Sequence, residues 1–127
     1  RHVVTRITDE GLVIELFSLD DLPLFEEASA VPTQLLRDLG SIVASVGQTV
    51  TNGVAIGGHV RANPVVQMEN PVWDLSESRA TAMRELLEEL GLGAARMQRV
   101  TGHADREPVL SNRMAVRNDR VEIVLLR

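Results

Sequence analysis

Val54-Ala55-Ile56-Gly57-Gly58-His59, Asp74-Leu75-Ser76-Glu77-Ser78-Arg79-Ala80 and Met97-Gln98-Arg99-Val100-Thr101-Gly102-His103 follow one another in the second half of the chain. The short apolar run Val54 to Ile56 before Gly57-Gly58 predicts a buried strand ending in a loop. Leu75, Met83, Leu86, Leu87 and Leu90 recur at three-and-four spacing, which predicts an amphipathic helix ended by a left-handed Gly91. Asp74 and Glu77 have capping-box spacing, with Ser76 a rival cap. Met97 to Gly102 predicts a second strand. A strand, helix, strand unit is almost always a right-handed crossover between parallel strands, so both Gly-His loops should leave the sheet at one end. Those loops echo each other: residues 58–65 and 102–109 match at four of eight positions. The stretch from His59 to about Trp73 is long enough to suggest a binding loop.

Working outward, Val3 to Ile7 and Leu12 to Phe17 flank the turn-like Asp9-Glu10-Gly11 and predict a hairpin or one bent strand. Ser18 to Glu27 is a loop containing Pro23. Leu35, Leu36, Leu39, Ile42, Val43 and Val46 predict a helix with Pro32 in its first turn and Gly47 at its end. Asn52-Gly53 turns the chain into the Val54 strand. A loop containing Pro108 leads to Arg120 to Leu126, apolar on both faces and therefore expected at the centre of the sheet. The order β, α, β, α, β, β predicts an α/β sandwich: helices packed on a mixed four-stranded sheet, with a short extra N-terminal strand. A chain of 127 residues is expected to form one domain, residues 1–127.

Composition narrows the function. With 13 Lys+Arg against 18 Asp+Glu the net charge is −5, and no basic run offers a face to nucleic-acid phosphates. Phe17, Phe25 and Trp73 are too few to stack bases. Without cysteine there is no disulfide or thiolate chemistry. Leu39 to Val60 lacks Asp, Glu, Lys and Arg, but its five Gly and its polar residues make it helix end, turn and strand rather than a membrane span. The chain starts at Arg1 without Met, which leaves room for an upstream targeting or membrane segment. Neither a phosphate-cradling Gly-rich loop nor Gly-x-Ser-x-Gly occurs, so nucleophilic catalysis has no visible machinery.

Arg79 breaks two local rules. At about 100° per residue from Leu75 it falls near 40°, inside the apolar stripe, whereas the other helix charges lie on the outer side. A cation in the first turn also opposes the helix dipole. A guanidinium beside free helix N–H groups is a receptor for a carboxylate. The structural alternative is an internal ion pair with Asp105 or Asp74. His59 and His103, with Asp105, form a second candidate cluster, a metal site that would suit a metal-dependent hydrolase.

Asp9-Glu10-Gly11-Leu12-Val13-Ile14, Leu24-Phe25, Gly58-His59, Leu75-Ser76-Glu77-Ser78-Arg79-Ala80, Gly102 with Pro108, and Asn118-Asp119-Arg120-Val121, taken in order, resemble the OmpA-like peptidoglycan-binding domains almost end to end. Val72-Trp73-Asp74-Leu75-Ser76, Val100 to Asp105 and the Leu-Leu-Arg ending are most similar to the periplasmic part of the MotB flagellar stator proteins. The resemblance implies a noncatalytic wall anchor in the periplasm with no cofactor. It implies a homodimer working with a MotA-like subunit at the inner membrane, held there by a segment upstream of Arg1. In the family an Asp of a Gly-His-Thr-Asp loop and the Arg of Leu-Ser-x-x-Arg-Ala grip the ammonium and carboxylate of diaminopimelate in the peptide stem. Arg79 occupies the Arg position. Arg61 stands where the family has Asp, and Val72 replaces the Asn common before Trp. The candidate stem-binding residues are therefore Arg79, Arg61, His59, Asp105, Arg120 and Asn118. Three outcomes stay open: Asp105 supplies the missing carboxylate, Arg61 and Arg79 hold a dianionic stem, or only a dimerisation module remains.

Overall fold

β1 (Val3–Thr8) and β2 (Gly11–Phe17) form an antiparallel hairpin, Val3 opposite Leu16 and Thr8 opposite Gly11, in the computed structural model, which describes residues 2–61, 71–107, 109, 112 and 115–127. At residues 71 and 72 only the backbone is described. Much of the predicted His59-to-Trp73 loop, the second half of the first Gly-His echo, and Pro108 lie outside the described residues.

Thr33, not Pro32, opens α1 (Gln34–Gly47): its hydroxyl accepts from Leu36 N at 3.3 Å, leaving Pro32 just outside the helix. β3 (Val54–His59), α2 (Pro71–Glu89), β4 (Met97–Gly102) and β5 (Arg120–Leu126) follow. α2 starts earlier than its capping-box spacing suggests. Pro71 occupies the first helical turn, where a missing N–H costs nothing, so Asp74 lies inside that turn instead of capping it. Ser76 is fully buried; its Oγ donates to Trp73 O at 3.0 Å and accepts from Ala104 N at 2.9 Å, tying α2 to the turn after β4. At the other end Gly91, at φ +115°, lets Leu92 N reach Leu87 O and Gly91 N reach Glu88 O, which satisfies the last carbonyls.

The sheet order is β1-β2-β5-β3-β4, with β3 and β4 parallel and the other neighbours antiparallel. The final strand is central, as expected, although its face away from the helices carries Arg120 and Glu122 beside Val124, and the α/β architecture is the one expected. Ile14, Leu16, Val54, Ile56, Val121, Ile123 and Leu125 face the helices and pack with Leu36, Val43, Met83 and Leu87. The opposite face carries Val13, Ala55 and Val124, and beside them a charged layer. There Glu15, 2% exposed, pairs with Arg6 at 3.0 Å and with Arg117, whose guanidinium covers the Phe17 ring. Ile123 is fully buried at the centre of the helix-facing core. Ile123→Ala should cost about 2–5 kcal/mol in urea unfolding, and a loss below about 1 kcal/mol would contradict this packing.

α2 lies directly on the ends of β3 and β4. A Cβ at Gly58 would come 2.2 Å from Ser76 O, and one at Gly102 2.5 Å from Glu77 N. These two glycines let a helix backbone touch a sheet, and so fix the height of Arg79 above it.

Candidate functional site

Arg79 is 8% exposed, between the fully buried Ser76, Ala80 and Met83 on the same helix. The helical wheel thus placed it correctly. Its Nε donates to Ser29 O at 2.8 Å, and the guanidinium carbon lies 5.0 Å from the Phe25 ring centre. Both partners come from the segment between β2 and α1. There Ser18 Oγ accepts from Leu24 N, Thr33 Oγ1 donates to Pro23 O and Leu24 O, and Phe25 is buried. Ala28, next to Ser29, holds a left-handed φ of 53°, a local strain of roughly 1 kcal/mol of the kind concentrated at working sites.

The acid beside Arg79 is neither Asp105 nor Asp74. It is Asp119, whose Oδ2 lies 3.9 Å from Nη1, too far for a hydrogen bond. The Asp119 Oδ1 accepts from Arg61 N at 2.7 Å, so this carboxylate is held by the backbone beyond β3. Among the described residues no hydrogen bond reaches the Nη groups of Arg79. Burial lowers the Arg79 pKa from its ordinary value; Asp119 pulls it back up and Arg61 lowers it further. The result is a nearly buried cation with an acid at its side and, among the described residues, no hydrogen bond on its Nη edge, a state that an incoming carboxylate would relieve.

The other expected residues divide between two places. Arg61 is exposed and joins the Arg79 side through its backbone. His59 and Arg120 face the opposite side of the sheet, because they pair across β3 and β5 one position beyond Gly58 and Val121, which face the helices. Arg120 is 5% exposed and bonded internally from all three nitrogens: Nε donates to Glu122 at 3.1 Å, Nη1 to Asn118 O and Nη2 to Glu107 O. Asn118, 1% exposed, accepts from Val109 N and donates to Asn112 O. These two side chains therefore brace the loop before β5 from within, and the ligand contacts expected of them are taken by protein groups. Asp105 is half-buried in the turn after β4 and makes no ion pair with Arg79.

The two Gly-His loops do meet, as the crossover predicts. The His59 and His103 rings stack with centres 4.5 Å apart and planes within 9°. Burial first, then Arg120, His103 and Arg6, push the His59 pKa down to about 3, so the ring is neutral. Glu107, rather than Asp105, joins them, its ligand atom lying within 4.8 Å of one on each imidazole.

No family model matches the chain. Motility protein B of Escherichia coli K12 is 30% identical over 105 residues, 81% of this chain and 34% of that protein. The periplasmic domain of Helicobacter pylori MotB superposes with a TM-score of 0.81 at 21% identity, covering 98% of this chain and 81% of that one. The chain carries the OmpA-like fold and is similar to MotB periplasmic domains. A cell wall anchor of the T6SS from Pseudomonas aeruginosa is also similar, with a TM-score of 0.80 and 28% identity over 99% of this chain and 89% of its own. This MotB-like chain spans about a third of the curated relative's length. No described helix is long and apolar enough to cross a membrane.

Sequence reasoning missed Asp119, Ser29, Phe25 and Glu107. Asp119 lay within a quoted motif, and the signal was topological: a central final strand antiparallel to β3 sets the residue before Arg120 opposite the residues after His59.

Proposed function

We propose that the chain is a noncatalytic peptidoglycan anchor, the wall-binding periplasmic domain of a MotB-like stator protein. The observation that carries this is the Nη edge of the buried Arg79 guanidinium, which donates no hydrogen bond among the described residues, beside Asp119. A zwitterionic amino-acid terminus, such as that of a diaminopimelate stem, fits a cation and an anion so placed. Its carboxylate meets Arg79 in charge-assisted hydrogen bonds and its ammonium meets Asp119. Asp119 then supplies the acid that Arg61 displaced from the loop position, a fourth outcome beside the three left open by the sequence. In this reading residues 1–127 act as one domain that dimerises and is held at the inner membrane beside a MotA-like partner by a segment upstream. The hydrolase alternative is not favoured: the similar proteins are motility and wall-anchor domains, and Asp105 is not the third member of the histidine cluster.

The test is cosedimentation with purified sacculi. Asp119→Asn keeps the acceptor for Arg61 N and removes the charge, so apparent affinity should fall about tenfold. Loss of binding in Asp105→Asn with Asp119→Asn unchanged would move the acid to the turn after β4. Sacculus binding absent in the unmutated protein would leave only the dimerisation module.

A further inference from the structure

On the face of the sheet away from Arg79, the ends of β3 and β4 hold a second arrangement of polar groups. β3 and β4 run parallel with Gly57 beside Thr101 and Gly58 beside Gly102, so His59 and His103 leave adjacent strands at the same level. His103 N donates to Gly58 O at 2.8 Å, which locks that register. Gly57 provides the floor. A Cβ there would lie 3.2 Å from His103 Nε2 and 3.4 Å from His59 Nε2, so both Nε2 atoms converge over the one residue of the row without a side chain.

Two features of this cluster are unexplained by packing. The His59 ring is 3% exposed, yet among the described residues its Nδ1 has no hydrogen-bond partner, and its Nε2 lies 3.9 Å from the nearest Glu122 oxygen. A buried imidazole so poorly satisfied carries the desolvation cost of its ring nitrogens uncompensated, which points to a further partner at the cluster. The second feature is Glu107, whose carboxylate stands 3.5 Å from His103 Nδ1 across one turn, in a position where its own side chain is mostly exposed. Ala104 between them adopts φ 52° while buried, and this strained residue sets the turn that returns Glu107 toward the rings.

We infer that His59, His103 and Glu107 form a binding site for a borderline transition-metal ion, with zinc the natural occupant. Two imidazoles and a carboxylate are a zinc donor set and a poor match for calcium or magnesium, which prefer oxygen. Their ligand atoms already lie within 4.8 Å of one another. The stacked rings direct their nitrogen lone pairs in parallel planes, so coordination requires the partly exposed His103 to turn out of the stack and the exposed Glu107 to follow it toward the buried His59. The nearby Arg120 and Arg6 charges are partly offset by Glu122 and Glu15, to which they are paired. The site is noncatalytic: the ion staples the turn after β4 to the end of β3, on the side of the sheet opposite the stem-binding cation.

The experiment is calorimetric titration of Zn²⁺ into untagged protein first dialysed against a chelator, with the thermal midpoint followed in parallel. One ion should bind per chain and raise the midpoint. Losing a hydrogen-bond partner of a zinc ligand already costs about 10–100-fold in affinity, so removing a ligand by His103→Ala or Glu107→Gln should weaken affinity about 100-fold. Because both residues are partly exposed, those variants should stay folded, as circular dichroism would check. The third histidine, His2, bonds Phe17 O and is not part of the cluster, so His2→Gln should bind Zn²⁺ as the unmutated protein does. Absence of saturable binding, or binding that survives His103→Ala and Glu107→Gln, would overturn the assignment.

Discussion

Arg79→Met should abolish cosedimentation with sacculi while leaving the domain as stable as before. Met is an apolar chain that reaches the space now occupied by the Arg stem, without charge or donors. Among the described residues the direct partners of the guanidinium are the Ser29 carbonyl and the Phe25 face, with Asp119 at 3.9 Å. Those contacts are weighed against desolvation of a cation that is 8% exposed. Replacing a poorly compensated buried charge by an apolar side chain is close to neutral, so the change in unfolding free energy should stay within about 1 kcal/mol. Loss of a desolvated charge pair with the stem costs about 3 kcal/mol, roughly 100-fold in affinity. Lys at the same place keeps the charge and loses the planar fork, so Arg79→Lys should recover only part of the binding. If Arg79 were instead a structural ion pair, its removal would cost about 3–5 kcal/mol of stability. Urea unfolding and sedimentation on the same preparations separate the two cases.

Much of this site was legible before any coordinates. The helical period placed Arg79 among apolar residues because burial of an amphipathic helix is set by its own sequence. The crossover rule brought His59 and His103 together because chain connectivity and strand handedness leave little choice. What stayed hidden depends on which strand lies beside which. Asp119 reaches Arg79 only because β5 inserts between β2 and β3, and Phe25 and Ser29 only because the segment before α1 folds over the helix. The same insertion explains why Asn118 and Arg120 turned inward. Residues flanking a central strand are enclosed on both sides, and their polar atoms must be satisfied by the loops that enclose them. The choice between hairpin and bent strand at the N-terminus was similarly open until pairing with β5 required two separate strands.

Gly58→Ala should be strongly disruptive and should impair wall binding without touching a charged group. Gly58 is an ordinary strand position; what forbids a side chain is distance. The added Cβ would lie 2.2 Å from Ser76 O and 3.2 Å from Ala80 N, so backbone, not a flexible side-chain tip, is in the way. Relief requires α2 to lift from β3. That lift strains the Ser76 bond to Ala104 N and opens the core around Ala80 and Met83, both fully buried. Overpacking against adaptable side chains costs about 1–3 kcal/mol; a clash with helix backbone belongs at or beyond the upper end. Arg79 rides on the same turn of α2 as Ser76 and Ala80, so its separation from Asp119 and Phe25 should change with the lift. Binding should therefore fall at temperatures where the variant is still folded. Gly91→Ala offers the comparison: it strains a left-handed position at the far end of α2 and displaces the tip of Gln48, 2.3 Å from the added Cβ, so it should lower stability by more than about 1 kcal/mol and leave sacculus binding intact. Equal loss of binding in both variants, at matched fractions folded, would show that general destabilisation and not the height of α2 governs the site.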